Sequence, residues 1–173
     1  MRGVNVTHMD RRRWLLTLGV AGAAARTSAF AQPALVAGST VRRIVSVGGA
    51  LTETLYALGA QDDLVGVDTT SLYPAVARAL PSVGYARSLS AEGVLSLRPT
   101  LVVASEDAGP PAVLRQLEAT RVPLVVLDGD HRFEGALSRT RRLAELTGRL
   151  DAGRALVTRL QQEWEATRER VAQ

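Results

Sequence analysis

Short apolar runs alternate with amphipathic segments between residues 43 and 150. The apolar runs are rich in valine, isoleucine and leucine and have the length of buried β-strands. They cover residues 43–48, 64–67, 101–104 and 122–127. The segments between and after them predict helices over residues 52–58, 90–98, 110–120 and 134–147. Strands that alternate with helices predict an α/β fold with a parallel sheet covered by helices on both faces.

Glycine, serine and proline mark the predicted helix ends. Gly59 and Gly148 each follow a predicted helix, at the position where a left-handed residue commonly ends one. Ser90 is a predicted N-cap, and Glu92 falls in the first helical turn, where the helix dipole favours an acidic side chain. Pro99 ends that helix, because the residue before a proline disfavours helical geometry.

A long helix is predicted over residues 151–171. Apolar or small side chains recur there at intervals of three or four residues: Ala152, Leu156, Leu160, Trp164, Thr167 and Val171. This spacing places one apolar stripe on a helix roughly 30 Å long, with charged side chains on its other face. A helix of this kind after an α/β unit leads us to expect a further structural unit beyond it.

The N-terminus has the features of an export signal. Arg11 to Arg13 precede an apolar run over residues 14–25, and Ala29 and Ala31 occupy the two positions that a signal peptidase reads. Paired arginines before an aromatic residue and leucine resemble the twin-arginine (Tat) pattern, with the Sec route as the alternative. The apolar run is shorter than the roughly 20 residues that a membrane span needs, so we predict a cleaved signal over residues 1–31.

The chain therefore divides into four predicted parts. These are the signal, residues 1–31 with Met9 as an alternative start; a lead-in, residues 32–42; an α/β lobe, residues 43–150; and the long helix, residues 151–173. The signal holds five of the 21 basic residues and one of the 17 acidic residues, which leaves equal numbers of each. The high isoelectric point thus belongs largely to the signal, and we expect no nucleic-acid partner.

The composition excludes several kinds of chemistry. The sequence contains no cysteine, which excludes disulfides, thiolate nucleophiles and metal sites, and a lipidated cysteine anchor. Every basic residue is arginine, which excludes Schiff-base and P-loop lysines. Gly48-Gly49 follows the first strand but lacks the spacing of a dinucleotide-binding loop, and no serine–histidine–acid set is apparent. We therefore expect no enzyme and no catalytic cofactor, with an exported α/β enzyme as the minor alternative.

Three stretches, residues 43–59, 64–74 and 80–99, resemble the helical-backbone substrate-binding proteins that serve importers of haem, vitamin B12 and iron-siderophores. The resemblance covers residues 42 to about 172. Residues 84–93 read Gly-Tyr-Ala-Arg-Ser-Leu-Ser-Ala-Glu-Gly, an element similar to the haem-binding branch. The resemblance implies two α/β lobes joined by one long helix, with the ligand between them. This chain would supply the N-terminal lobe and that helix, with the second lobe absent.

The resemblance also implies roles for individual residues. Tyr85 would be the axial ligand of haem iron, since a phenolate is a hard anionic oxygen that suits ferric iron. Ligation requires loss of a proton with an ordinary pKa of about 10, which a nearby cation favours. Arg87, two residues on, would lie on the same side of an extended segment. Glu92 would dock onto arginines of the membrane permease. This role is compatible with its simpler one, in which an acidic side chain stabilises the N-terminus of a helix.

Two further residues are weaker candidates for the same site. Tyr73 follows the second strand and would line the porphyrin pocket, although a packing role fits equally well. His131, the only histidine after the predicted signal, follows the fourth strand. It is a candidate second iron ligand, but an exposed loop histidine is the better interpretation.

The hypothesis is a monomeric, periplasmic, non-lipidated binding protein that delivers haem to an ABC permease and its ATPase. The alternative is a carrier of cobalamin or a ferric siderophore, in which Tyr85 only packs. Because the second lobe of the family would begin after residue 173, we expect either a fragment or a lobe that acts alone. A truncated lobe without function is a third interpretation.

Overall fold

The computed structural model describes residues 42–172, so the predicted signal and all but the last residue of the lead-in lie outside the described residues. Four parallel strands form one sheet in the order β2-β1-β3-β4. The strands are β1 (Ile44–Val47), β2 (Leu64–Val67), β3 (Leu101–Ser105) and β4 (Leu124–Leu127). The α-helices are α1 (Gly49–Ala57), α2 (Ala91–Ser96), α3 (Pro111–Glu118), α4 (Phe133–Thr147) and α5 (Leu150–Val171). Short 3₁₀ helices cover Gln61–Asp63 and Ala75–Ala79.

Side chains of β1 alternate between two hydrophobic cores. Ile44 packs in the core that includes side chains of α1, α4 and α5. Val45 and Val47 pack in the opposite core, with side chains of α2 and α3. Ile44, Val45 and Val47 are fully buried, as expected for a strand covered on both faces. The predicted α/β fold with helices on both sides of a parallel sheet is confirmed.

Element boundaries differ from the prediction where local hydrogen bonding decides them. α1 begins three residues earlier than predicted, because the carbonyl of Gly48 accepts the N–H groups of Leu51 and Thr52 at 3.0 and 3.1 Å. β4 begins at Leu124, after Pro123, which has no N–H to donate to a neighbouring strand.

The predicted helix ends are found in the structure. The Ser90 hydroxyl accepts the N–H of Gly93 at 3.2 Å and caps α2. Gly148 follows α4 with a left-handed φ of 68°, and Gly59 follows α1 with a φ of 74°. These signals were readable from the sequence because each cap depends on residues within one turn of the helix.

The 22-residue helix α5 lies where the long helix was predicted, and only its first half is buried. Gly153 faces α4 so closely that an added Cβ would lie 2.4 Å from the Cβ of Ala144, which shows why a glycine stands there. Beyond Leu160 the helix is exposed, although Trp164 stacks on Phe133 with ring centroids 4.6 Å apart. Only the N-terminal half of the apolar stripe is therefore buried. None of the helices within residues 42–172 is long and apolar enough to cross a membrane.

Candidate ligand-binding cleft

A cleft of about 270 Å³ lies at the carboxyl ends of the four strands. The segments that follow β1, β2, β3 and β4 all contribute to its walls. Its lining residues are Gly48, Gly49, Ala50, Leu51, Thr70, Tyr85, Ala86, Arg87, Ser105, Glu106, Asp107, Leu127, Asp128, Gly129, His131 and Arg139. Open α/β sheets bind ligands at this edge, because the strand-to-helix loops meet there. Three of the predicted site residues, Tyr85, Arg87 and His131, are thus brought to one cleft.

One wall of the cleft is held by the buried carboxylate of Asp68. Its Oδ1 accepts the Gly48 N–H and the Ser71 hydroxyl, both at 2.9 Å. Its Oδ2 accepts the N–H and the hydroxyl of Thr70 at 3.0 and 2.6 Å. The Thr70 hydroxyl in turn accepts the Gly49 N–H at 3.0 Å. This arrangement fastens the loop after β2 to the first turn of α1.

A chain of buried hydroxyls continues from this carboxylate into the domain. The Thr52 hydroxyl donates to the Ser46 hydroxyl at 2.9 Å and lies 2.7 Å from the Ser71 hydroxyl. All three side chains are buried, so each bond forms away from competing water. Sequence reasoning missed this network. The signal present in the sequence was Asp68 two residues before Thr70, the spacing of an Asx turn.

The segment that carries Tyr85 is fixed on both sides by backbone hydrogen bonds. Before it, the Gly84 carbonyl accepts the Thr69 N–H at 2.9 Å, next to the end of β2. After it, the Ala86 carbonyl accepts the Gly109 N–H at 2.9 Å, in the loop that follows β3. Tyr85 itself is 48% exposed and lines the cleft. The aromatic ring is therefore presented to the cleft from a fixed backbone.

Tyr85 and Arg87 belong to a turn, where an extended segment was expected. The Ser88 N–H donates to the Tyr85 carbonyl at 2.8 Å, and both side chains still line the cleft. Arg87 Nη2 lies 3.0 Å from Asp107 Oδ1. The pKa of Arg87 is raised by its hydrogen bond to Asp107 and by that carboxylate's charge, and further by the phenolate of Tyr85 when that group is ionised. The guanidinium is therefore paired with Asp107 on a wall of the cleft that Tyr85 also lines.

The opposite wall of the cleft is formed by Glu106 and the loop after β4. Glu106 Oε2 accepts the Gly129 N–H at 3.1 Å, and Glu106 Oε1 lies 3.8 Å from His131 Nε2. A Cβ on Gly129 would lie 1.7 Å from Glu106 Oε1, so only glycine allows this contact. The His131 side chain is 89% exposed. It lines the cleft as a surface residue beside a carboxylate.

Tyr73 and Glu92 lie outside the cleft lining. Tyr73 is an exposed residue of the loop after β2, flanked by exposed Leu72 and followed by exposed Val76. This loop therefore presents apolar surface beyond the cleft edge. Glu92 is exposed in the first turn of α2, at the position that the sequence predicted.

Two arginines order the loop after β4, and sequence reasoning did not single them out. Arg139 Nη1 donates to the carbonyls of Asp128 and Asp130 at 3.2 and 2.6 Å. Arg132 makes two side-chain hydrogen bonds to Asp130, at 3.0 and 2.9 Å. The side-chain hydrogen bonds from Arg132, together with one from its backbone N–H, lower the pKa of Asp130 to about 2. The same side-chain hydrogen bonds raise the pKa of Arg132. The loop beside His131 is therefore held by charge-assisted hydrogen bonds.

The sequence profile of the periplasmic binding protein family matches residues 44–173. The chain belongs to the periplasmic binding protein family. Its match begins at the first residue of β1 and includes the whole Tyr85 segment and α5.

Solved structures of this family superpose on the domain. The periplasmic haem-binding protein BhuT, in complex with two haems, is 44% identical with a TM-score of 0.73, over 76% of this chain and 50% of that chain. A periplasmic haem-binding protein from Pseudomonas aeruginosa is 40% identical with a TM-score of 0.74, over 76% and 47% of the two chains. The vitamin B12-binding protein BtuF of Vibrio cholerae is 26% identical with a TM-score of 0.66, over 76% and 51%.

Curated relatives include vitamin B12-binding proteins. The one from Pectobacterium carotovorum subsp. carotovorum (strain PC1) is 29% identical over 137 residues, which is 79% of this chain and 46% of the relative. The chain spans about half the length of the relatives that it matches. These relatives are binding proteins, and the resemblance to the haem, B12 and siderophore superfamily is confirmed.

Proposed function

We propose that this chain is the haem-binding lobe of a periplasmic component of an ABC importer, with haem as the transported ligand. The observation that carries the proposal is the cleft itself. Tyr85 lines the cleft from a backbone segment that hydrogen bonds fix on both sides. Arg87 lines the same cleft, at the carboxyl ends of the strands, and pairs with Asp107. Support also comes from haem-binding structures that are 40–44% identical, against 26% for the vitamin B12-binding one.

Tyr85 is the proposed axial ligand of the iron. A phenolate is a hard, anionic oxygen donor, which matches ferric iron better than ferrous iron. Because the ring is half exposed, its oxygen can meet a planar ligand without a rearrangement of the core. The cleft volume of about 270 Å³ is slightly below the roughly 300–1,000 Å³ of small-molecule sites, as expected for one wall of a binding site for a flat macrocycle.

Arg87 is the proposed electrostatic partner of that ligand. A guanidinium close to a phenolate favours the anionic form, which is the form that binds iron. Tyr73 lies outside the cleft lining and, with the exposed Leu72, is proposed to extend the apolar contact with haem beyond the cleft. His131 is a less favourable second ligand, since its side chain is almost fully exposed and lies next to Glu106.

Glu92 is proposed to dock the protein onto its permease. Its carboxylate is exposed at the N-terminus of α2, where Ser90 caps the helix and fixes its first turn. An exposed acid on a rigid element can guide association with a basic surface and set its orientation. Export through a signal over residues 1–31, without a lipid anchor, is part of the same proposal, as is action as a monomeric carrier that is not an enzyme.

A titration of the purified chain with ferric haem tests the proposal. We expect a saturable shift of the Soret band, with a phenolate-to-iron charge-transfer band. Tyr85→Phe, which removes only the hydroxyl, should weaken binding roughly tenfold or more and abolish the charge-transfer band. Tyr56→Phe is the matched control, because Tyr56 packs against the core formed with α1 and lies outside the cleft. Unchanged spectra with Tyr85→Phe would remove Tyr85 as the ligand.

Cobalamin is the second candidate ligand. The curated vitamin B12-binding relatives favour it, with identities of 29% over 137 residues and 35% over 89 residues. The same purified chain, titrated with cyanocobalamin in an equilibrium dialysis experiment, decides between the two. Saturable cobalamin binding that Tyr85→Phe leaves unchanged, with no Soret shift on addition of haem, would establish this candidate and overturn the haem proposal.

A further inference from the structure

We propose that Asp107 is a positioning residue for the cleft: it holds the Arg87 guanidinium beside Tyr85 and so strengthens ligation of haem iron by the phenolate. The effect on iron ligation rests on the proposed function. The immobilisation of Arg87 by Asp107 concerns the protein without ligand and stands on the geometry alone. Neither the sequence pattern nor the resemblance singled out Asp107.

Two loops are fixed together by the backbone at this point. The Gly109 N–H donates to the Ala86 carbonyl, and the Leu89 N–H donates to the Gly109 carbonyl, both at 2.9 Å. These bonds fix the loop after β3, which carries Asp107, against the segment that carries Arg87. The contact of 3.0 Å between Arg87 Nη2 and Asp107 Oδ1 is therefore set by the loop geometry as well as by charge.

Arg87 needs such a partner to act on Tyr85. Its side chain is 61% exposed, and a long exposed side chain samples many rotamers unless a contact selects one. Asp107 is 57% exposed, and exposed ion pairs contribute little to folding stability. The expected effect of the pair is therefore on where the guanidinium lies and not on whether the domain folds.

The neighbouring acid cannot replace Asp107. Glu106 is engaged on the other wall of the cleft, where it accepts the Gly129 N–H and lies next to His131. Glu106 contacts the loop after β4, whereas Asp107 contacts Arg87 in the Tyr85 segment. The two adjacent carboxylates thus serve different walls.

A double-mutant cycle on haem affinity tests the inference in the full chain. Arg87→Ala should weaken binding, and Asp107→Ala should weaken it by about threefold, through loss of the ordered guanidinium. In the Arg87→Ala background, Asp107→Ala should cause no further loss. Asp107→Asn keeps a hydrogen-bond acceptor and should fall between wild type and alanine. The charge-transfer band should shift in the same direction in Arg87→Ala and Asp107→Ala.

Asp62→Ala is the matched control, since Asp62 is an exposed acid in the 3₁₀ helix that precedes β2, at the opposite edge of the sheet from the cleft. It should leave haem affinity unchanged. Equal weakening by Asp107→Ala in both Arg87 backgrounds would overturn the inference, because it would show an effect that does not pass through Arg87. No effect in either background would overturn it as well.

A measurement without haem separates this inference from the proposed function. The Arg87 Nη–H signals in a ¹⁵N NMR spectrum, identified by their loss in Arg87→Ala, should exchange more slowly with water in the wild type than in Asp107→Ala, because Nη2 is the atom that contacts Asp107. Equal exchange in both would overturn the positioning role. Absence of any Soret shift in the wild type would instead contradict the haem proposal and leave the NMR result to decide whether Asp107 orders Arg87.

Discussion

Replacement of Asp68 by alanine is the most direct test of how the cleft is built. The carboxylate is buried and accepts four hydrogen bonds, two from backbone N–H groups and two from hydroxyls. In Asp68→Ala the hydroxyls of Thr70 and Ser71 can rotate to new partners, but the Gly48 N–H is left without an acceptor in a buried position. The perturbation therefore acts on the start of α1 and on the loop after β2 together.

The magnitude follows from those bonds. A hydrogen bond to a charged group contributes about 1.5–3 kcal/mol, and a buried donor left unsatisfied costs about 1–3 kcal/mol. Because these contributions overlap, we expect a loss of about 3 kcal/mol in the free energy of unfolding. Asp68→Asn should lose less of this free energy, because one side-chain oxygen remains as an acceptor. It should still be less stable than the wild type, because its NH₂ group replaces the oxygen that accepts the Thr70 N–H.

Urea unfolding followed by far-UV circular dichroism measures this loss. With a slope of about 2 kcal/mol per molar urea, the midpoint for Asp68→Ala should fall by about 1.5 M. Asp62→Ala, the exposed control, should change the free energy of unfolding by less than about 0.5 kcal/mol. If Asp68→Ala lowered the midpoint no more than Asp62→Ala does, the argument that this network holds the cleft wall would be wrong.

Two further predictions concern close contacts. Gly129→Ala should displace the Glu106 carboxylate, because the new Cβ would lie 1.7 Å from Oε1. Because Glu106 is half exposed and can move, the thermal midpoint should fall only by the loss of its hydrogen bond to the N–H of residue 129. Glu106→Ala in the same chain should then lower the midpoint no further, and a clear additional fall would contradict this reasoning. Gly153→Ala should lower the free energy of unfolding by about 1–3 kcal/mol, because the new Cβ overpacks α5 against α4. Ala144→Gly in the same chain should relieve this loss, which chemical denaturation of the single and double variants measures.

Much of the fold followed from the sequence because its signals are local. The run that became β1 was readable from its composition, and Ser90 and Gly148 were readable as helix ends because a cap acts within one turn. The errors were also local in cause. α1 begins at Gly49 because of hydrogen bonds to the Gly48 carbonyl, and Tyr85 lies in a turn closed by Ser88.

The candidate site was predictable only in part. Tyr85 and Arg87 were selected by a contiguous element whose resemblance could be read along the chain, and both line the cleft. His131 also lines it, because it follows a strand of the parallel sheet and the carboxyl ends of such strands share an edge. Tyr73 follows a strand too, yet its loop extends beyond the cleft edge.

Local sequence signals were enough to place the strands and helices along the chain, to predict burial of the sheet on both faces and to select residues 84–93 as a candidate segment. The pairing of polar groups, in contrast, was set by the folded domain. Asp68 reaches the Gly48 N–H across 20 residues, and Glu106 reaches the Gly129 N–H across 23. The Arg87–Asp107 pair likewise joins separate loops. Periodicity reports which face of an element is apolar, whereas the pairing of two polar groups depends on how the sheet brings distant loops to one edge.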